Sequence, residues 1–271
     1  MLWFDGALIA GTRAPFDLTD RGLTLGDGAF DTALALDGRI VFAEAHVARL
    51  VAAAASLGFA VDPIQIAEAM RAVASAFPQA AIRTTVTRGS GPRGLAPPAE
   101  PRPMLWASAA PVAPGFAFAP LRLHPTAIRR NETSPTSRLK TLGYLDAVLA
   151  AGEARAAGFD EALFLNTRDA VACAGTGNLF ALFGTRLATP PLHDGVLAGI
   201  VRGEILGSAT AFGFKPEERS LTLPELLRAD AVFLTNSLRG IAPVTAIGMT
   251  VFTDHPAMAV LIAALRAAMA A

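Results

Sequence analysis

Residues 28–50 read GAFDTALALDGRIVFAEAHVARL, and this stretch decides the fold class. Ala29–Leu36 and Arg39–Phe42 form two short strand patterns on either side of Asp37-Gly38, a dipeptide suited to a tight hairpin turn. From Ala43 the period changes. Val47, Leu50, Val51 and Ala54 recur three or four residues apart, as on one face of a helix, and Gly58 ends the pattern. Strand, turn, strand and helix in one short run mark a mixed α/β (α+β) fold.

The same reading extends in both directions. Leu2–Phe4 and Leu8–Ile9 flank an Asp5-Gly6 turn, and Arg21–Asp27 reads as a glycine-punctuated loop. A second helix is expected over Pro63–Phe77, then strands at Ile82–Thr87 and Met104–Ala109 around a Gly/Pro loop, Gly89–Pro98. Pro111–Gly115 (PVAPG) is the best linker, so the expected domains are residues 1–114 and 115–271. Beyond it the patterns predict a strand near Phe116–Leu123, a polar loop from Arg129 to Ser137 and a helix over Leu142–Ala157. Short strands follow at Glu161–Asn166, Ala170–Ala172, Leu179–Leu182 and Leu187–Thr189, then helices at Leu197–Phe212 and Leu223–Arg228. Strands Ala231–Thr235 and Val244–Ile247 precede a last helix, Pro256–Ala270.

Composition narrows the function classes. The 271 residues carry 23 basic and 23 acidic side chains, a zero balance with no electrostatic footprint for nucleic acid or an anionic membrane. A single cysteine, Cys173, excludes a disulfide framework and a multi-cysteine metal site. The four histidines lie far apart without metal-binding spacing, so no metal is expected. The hydrophobic fraction is 52%, much of it supplied by alanine, and no apolar run reaches the ~20 residues that span a bilayer. The opening MLWFDGALIAG lacks the features of a signal peptide, so the expected location is the cytoplasm.

Two clusters of residues carry chemistry. Only Lys140 and Lys215 are lysines; arginine supplies every other basic residue. Lys140 sits in SRLKTLGYL, and a primary amine forms a Schiff base where an arginine cannot. The plain alternative is that Lys140 merely opens the following helix. Lys215, in GFKPEE, reads as a solvated turn. The second cluster suits an anion. GVLAGIVR (Gly195–Arg202) puts a glycine before a helix, leaving the Ile200 and Val201 amides for a phosphate. Thr235-Asn236-Ser237 ends a strand and leads into Leu238-Arg239-Gly240, a second potential nest, and Arg49 adds a forked guanidinium. Each of these also has a bland reading as a cap, a turn or a surface charge.

Taken together, the motifs resemble a known family. DRGLTLGDGAFDT (Asp20–Thr32), HVARL (His46–Leu50), TRGSGPRG (Thr87–Gly94), LKTLGYL (Leu139–Leu145), GTGNLF (Gly175–Phe180), GVLAGIVR and TNSLRGIAPV (Thr235–Val244) occur in the order seen in class IV, fold type IV, pyridoxal-phosphate enzymes. That family holds branched-chain and D-amino-acid aminotransferases and 4-amino-4-deoxychorismate lyases. The resemblance implies a small N-terminal α/β domain, a larger C-terminal mixed-sheet, barrel-like domain, pyridoxal 5′-phosphate (PLP) as cofactor, and a homodimer with sites near the interface.

It also implies roles, residue by residue. Lys140 falls on the lysine that forms the internal aldimine and moves the Cα proton, and Arg49 on the arginine that binds the cofactor phosphate. Ile200, Val201 and Ser237 match the other phosphate contacts, although Val201 stands where the family commonly has threonine. Leu197 and Tyr144 fall beside the cofactor, Tyr144 on a tyrosine that bonds its phenolic oxygen in branched-chain members; helix packing explains Tyr144 equally well. Arg93, Leu238 and Arg239 fall on the substrate side, the two arginines as carboxylate forks. Cys173 is the departure. It stands five residues before Asn178, where the family has the glutamate that keeps the pyridine nitrogen protonated. Either the electron sink is weakened, or a displaced carboxylate such as Glu161 or Asp169 compensates, or the protein binds cofactor with reduced activity.

Within the family the expectation leans toward the lyase, which releases pyruvate and 4-aminobenzoate. TRGSGPRG and TNSLRG resemble lyase sequences, and Thr32 matches a threonine that assists the lyase's proton transfers. A weak sink harms transamination more than an elimination with a good leaving group. The alternative is an aminotransferase passing an amino group to a 2-oxo acid.

Overall fold

The computed structural model describes residues 1–270 and divides the chain into two compact units. The first comprises Met1–Pro114 together with Leu139–Gly143; the second comprises Gly115–Arg138 and the chain from Tyr144 onward. Lys140 therefore belongs to the first unit, whereas the sequence boundary at residue 114 placed it in the second.

In the first unit the elements run β1 (Leu2–Phe4), β2 (Ala7–Ile9), α1 (Arg21–Leu25), β3 (Gly28–Leu36), β4 (Arg39–Ile40), α2 (Ala43–Ser56), α3 (Pro63–Ala74), β5 (Gln79–Thr87) and β6 (Met104–Pro111). The six strands form one sheet in the order β2-β1-β6-β5-β3-β4, with every pairing antiparallel. Asp62 caps α3 by accepting from Ile64 N at 2.8 Å, and Pro63 occupies its first turn. α2 and α3 bury Leu50, Ala54, Ile66, Met70 and Val73 with Ala29, Ala33 and Ala35 of β3. This is where the alanine content goes: small side chains let helix and sheet approach closely at little entropic cost. The 21–27 loop expected from its glycines contains α1, capped by the Asp20 side chain and ended by Gly26 in the left-handed region at φ 67°.

The second unit contains β7 (Leu121–Arg130), α4 (Leu145–Ala156), β8 (Glu161–Asn166), β9 (Val171–Ala174), β10 (Asn178–Phe183), β11 (Arg186–Thr189), α5 (Ile200–Ser208), β12 (Lys215–Glu218), α6 (Leu223–Leu226), β13 (Ala231–Asn236), β14 (Gly240–Ile247), β15 (Thr250–Val251) and α7 (Pro256–Ala270). Its nine strands form a mixed sheet, β12-β11-β10-β13-β14-β7-β8-β9, with β15 on β14. β7 runs parallel to both β8 and β14, and β11 parallel to β12. β8 is buried at every position, as expected of a central strand covered on both faces. Phe180 and Phe233 stack across β10 and β13 with centroids 5.0 Å apart.

Several expected boundaries move. β7 begins five residues later than the expected strand and runs through Arg130, taking in residues read as loop. α4 starts at Leu145, so Lys140 does not open a helix. α5 ends at Ser208 and continues as a 3₁₀ turn, Ala209–Phe212. Lys215 lies on a strand, not in a turn, because β11 supplies a parallel partner that sequence alone cannot show.

Candidate active site

The lysine segment is held by backbone pairing. β4 covers only the far end of β3, through Ala35 and Leu36. The other half of that edge receives Lys140–Leu142: Phe30 N donates to Lys140 O at 2.9 Å, and Leu142 N donates to Gly28 O at 3.1 Å. Gly28 permits this approach, because a Cβ there would strike Val86 O and lie 2.9 Å from Leu142 Cδ1. Lys140 is thus an extended residue on a sheet edge, with a fixed backbone and a half-buried side chain. Its Nζ lies 4.4 Å from the Phe30 ring centroid, and the guanidinium of Arg83 lies 3.6 Å from the same centroid.

Alternation along β3 sorts its neighbours. Phe30 and Thr32 project to one face and Asp31 to the other. Thr32 opposes Arg83 in register, so Thr32, Phe30 and Arg83 share the lysine's face. Arg83 was not among the residues singled out from sequence. In AAIRTTV it is one charge in a strand, and only pairing with β3 brings it to Lys140.

On the opposite face, Asp31 accepts from Arg49 Nε at 2.7 Å, from Arg49 Nη2 at 2.8 Å and from His46 Nδ1 at 2.7 Å. Burial raises the Asp31 pKa, but the hydrogen bonds from His46 and Arg49, with their charges, outweigh it and hold the carboxyl well below the usual range. With the folded pKa depressed, the contribution to stability is complete above the unfolded value near ~3.9 and is lost as pH falls through the folded value.

The two glycine-rich motifs of this unit form one network. Arg21 Nε and Arg88 Nε both bond Asp27 Oδ2, at 2.8 and 2.7 Å. Arg21 also donates to the carbonyls of Gly94, Leu95 and Ala96, fixing the loop that carries the exposed Arg93.

In the second unit, α5 begins at the amides expected to bind an anion. Gly199 is the N-cap and has no side chain with which to cap the helix, so the first amides, Ile200 and Val201, face no cap. Asn178 Nδ2 donates to Leu197 O at 2.9 Å, and a Cβ on residue 199 would collide with Asn178 Oδ1. The cradle thus requires glycine where the sequence has it. The Val201 side chain is buried, so only its amide is offered. Thr235 opposes Asn178 across β10 and β13, and its buried hydroxyl lacks a hydrogen-bond partner among the described residues.

The 238–240 nest is not open. Asn236 Oδ1 already accepts from Leu238 N at 3.0 Å and Arg239 N at 2.7 Å, an Asx-type turn that leaves half-buried Ser237 at its tip. The Arg239 guanidinium stacks on Phe116, with Cζ 4.1 Å from its centroid. Tyr144 sits at the N-cap of α4.

Cys173, on β9, is buried against Ala162, Phe164 and Val196. Burial pushes its thiol pKa up, Arg130 opposes this and Glu161 adds to it, so the group is a neutral thiol at pH 7. The two carboxylates considered as substitutes differ in setting. Asp169 is exposed and bonds Arg129 at 3.1 Å. Glu161 is buried, but one oxygen accepts from Ala162 N at 3.0 Å and the other from Thr176 Oγ1 at 2.5 Å. The donor set thus fits an aldehyde and a phosphate monoester, with a neutral thiol at position 173.

The family model for class IV aminotransferases matches residues 28–247. The chain belongs to that family. It is a PLP-dependent enzyme of fold type IV. A Methanocaldococcus jannaschii protein, provisionally assigned as a branched-chain-amino-acid aminotransferase, is 32% identical over 250 residues, covering 90% of this chain and 86% of its own. The D-alanine aminotransferase of Bacillus licheniformis is 26% identical over 93% of this chain and 90% of its own. The crystal structure of 4-amino-4-deoxychorismate lyase from Pseudomonas aeruginosa superposes with a TM-score of 0.88 at 32% identity, covering 98% of both chains. Among the described residues no helix is long and apolar enough to cross a membrane.

Proposed function

We propose that this enzyme is an aminotransferase, passing the amino group of an amino acid to a 2-oxo acid. Its similarity to a branched-chain-type relative over nine-tenths of the chain carries this reading and displaces the lyase as first choice. Bound PLP would supply an aldehyde for amine exchange and a ring to accept electrons from Cα. Arg49 and the amides of Ile200 and Val201, with Ser237, would hold the phosphate, and Leu197 and Tyr144 would flank the cofactor. Lys140 would hold the aldehyde and act as the base that moves the substrate's Cα proton. Arg83 and Arg93 offer forks for substrate carboxylates, and Leu238 and Arg239 would add substrate contacts. The assembly we assign is a cytoplasmic homodimer.

Supplying ¹⁵N-leucine with pyruvate or 2-oxoglutarate, or D-¹⁵N-alanine with 2-oxoglutarate, tests the reaction. Catalytic appearance of ¹⁵N in the product amino acid is the expected outcome; its absence with all three pairs overturns the reading. One observation favours the lyase as a second reading: Cys173 leaves the ring without a carboxylate, and elimination tolerates a weaker sink. There Thr32 or Lys140 would protonate the departing enolpyruvate, and 4-aminobenzoate would accumulate from aminodeoxychorismate.

The phosphate assignment at α5 has its own test. Gly199→Ala drives a Cβ into Asn178 and parts it from the Leu197 carbonyl. The expected result is a rise in the PLP dissociation constant of about tenfold or more, the scale of a lost charge-assisted hydrogen bond. Pyridoxal, which lacks the phosphate, should lose little affinity.

A further inference from the structure

The face of β3 beneath α2 and α3 is apolar except at Asp31, where Ala29, Ala33 and Ala35 are its neighbours. A buried ion pair of this kind is a poor way to gain stability, since packed apolar residues serve as well or better. The burial of its members is graded. His46 and Asp31 side chains are 0% and 3% exposed, whereas Arg49 is 16% exposed. The cluster is closed at the imidazole and opens only at the guanidinium.

The bonding pattern fixes that guanidinium in one orientation. Nε bonds Oδ2 and Nη2 bonds Oδ1, a bidentate fork that defines both the plane and the direction of the group. Asp31 is held in turn by His46 Nδ1, which must carry the proton because a carboxylate only accepts. The edge bearing Nη1 then points away from the carboxylate.

We propose that Asp31, held by His46, is a positioning residue that aims Arg49 at the cofactor phosphate. This rests on the phosphate role given to Arg49 above. Two ideas about Asp31 predict opposite signs. If the carboxylate only neutralises Arg49, removing its charge strengthens the attraction for a phosphate dianion. If it positions Arg49, removing it frees the guanidinium and weakens phosphate binding.

The full-length protein, stripped of cofactor, is titrated with PLP and separately with pyridoxal, following absorbance. With Asp31→Asn the PLP dissociation constant is expected to rise about tenfold or more while that for pyridoxal changes less than about twofold. Arg49→Lys keeps the charge but not the fork, so it should show the same selective loss even if Asp31→Asn does not fold. Selectivity for PLP over pyridoxal that is unchanged or raised in folded Asp31→Asn, or in Arg49→Lys, overturns the positioning role. An unchanged selectivity in Arg49→Gln instead overturns the phosphate role of Arg49, and the proposal with it.

Discussion

Lys140→Ala leaves a folded protein whose cofactor absorbance near ~400–420 nm is gone and whose turnover falls by at least ~10⁴-fold, the upper range for a positioned acid–base group combined with loss of the covalent link. The fold survives because the segment is held by main-chain bonds from Phe30 N and to Gly28 O, which do not depend on the side chain. The substitution removes the cation over the Phe30 ring, a contact worth about 0.5–1 kcal/mol at a partly exposed site. Lys140→Arg separates charge from chemistry. It retains a cation over Phe30 but cannot form the covalent bond, so it should be as inactive as alanine. An absorbance band persisting in either variant would remove Lys140 from its assigned role, since Lys215 is the only other lysine.

Cys173→Glu is expected to act in the opposite direction, raising the rate of amino transfer by about tenfold or more, equivalent to ~1.4 kcal/mol of barrier. A neutral thiol cannot supply the charge that keeps a pyridine nitrogen protonated, whereas a carboxylate in its place can. The substitution is compatible with its surroundings. Arg130 pairs with Asn166 and Cys173 with Phe164, two positions apart on β8, so Arg130 and Cys173 lie on one face of the sheet. Arg130 Nε is buried without a hydrogen-bond partner among the described residues, and a carboxylate on that face would meet a cation. The ¹⁵N shift of ring-labelled PLP reports the protonation directly, and should move toward the protonated value in the variant. A changed shift with an unchanged transfer rate would show that the thiol does not limit transamination.

Legibility differed between elements for physical reasons. The Asp37-Gly38 hairpin, the 43–56 helix and the 63–74 helix were readable because their signals are local: turn residues, caps and an apolar period. β12 was not readable, because KPEE becomes a strand only beside β11. The Asn236 turn was likewise hidden, since whether the 238 and 239 amides are open depends on where one side-chain oxygen points.

The candidate site divides in the same way. Sequence alone determined the family and the glycine before α5, and put Lys140 and Cys173 forward as candidates, because each is a residue type at a fixed spacing. Tertiary structure alone decided which side chains share a face. Lys140 could lie on β3 only once a distant segment returned to pair with it. Arg83 could reach the same ring only through the β3–β5 register, and Asp31 could grip Arg49 only when α2 packed across the strand. Spacing along a chain fixes what a residue can do locally; hydrogen-bond register and packing between segments fix what it meets.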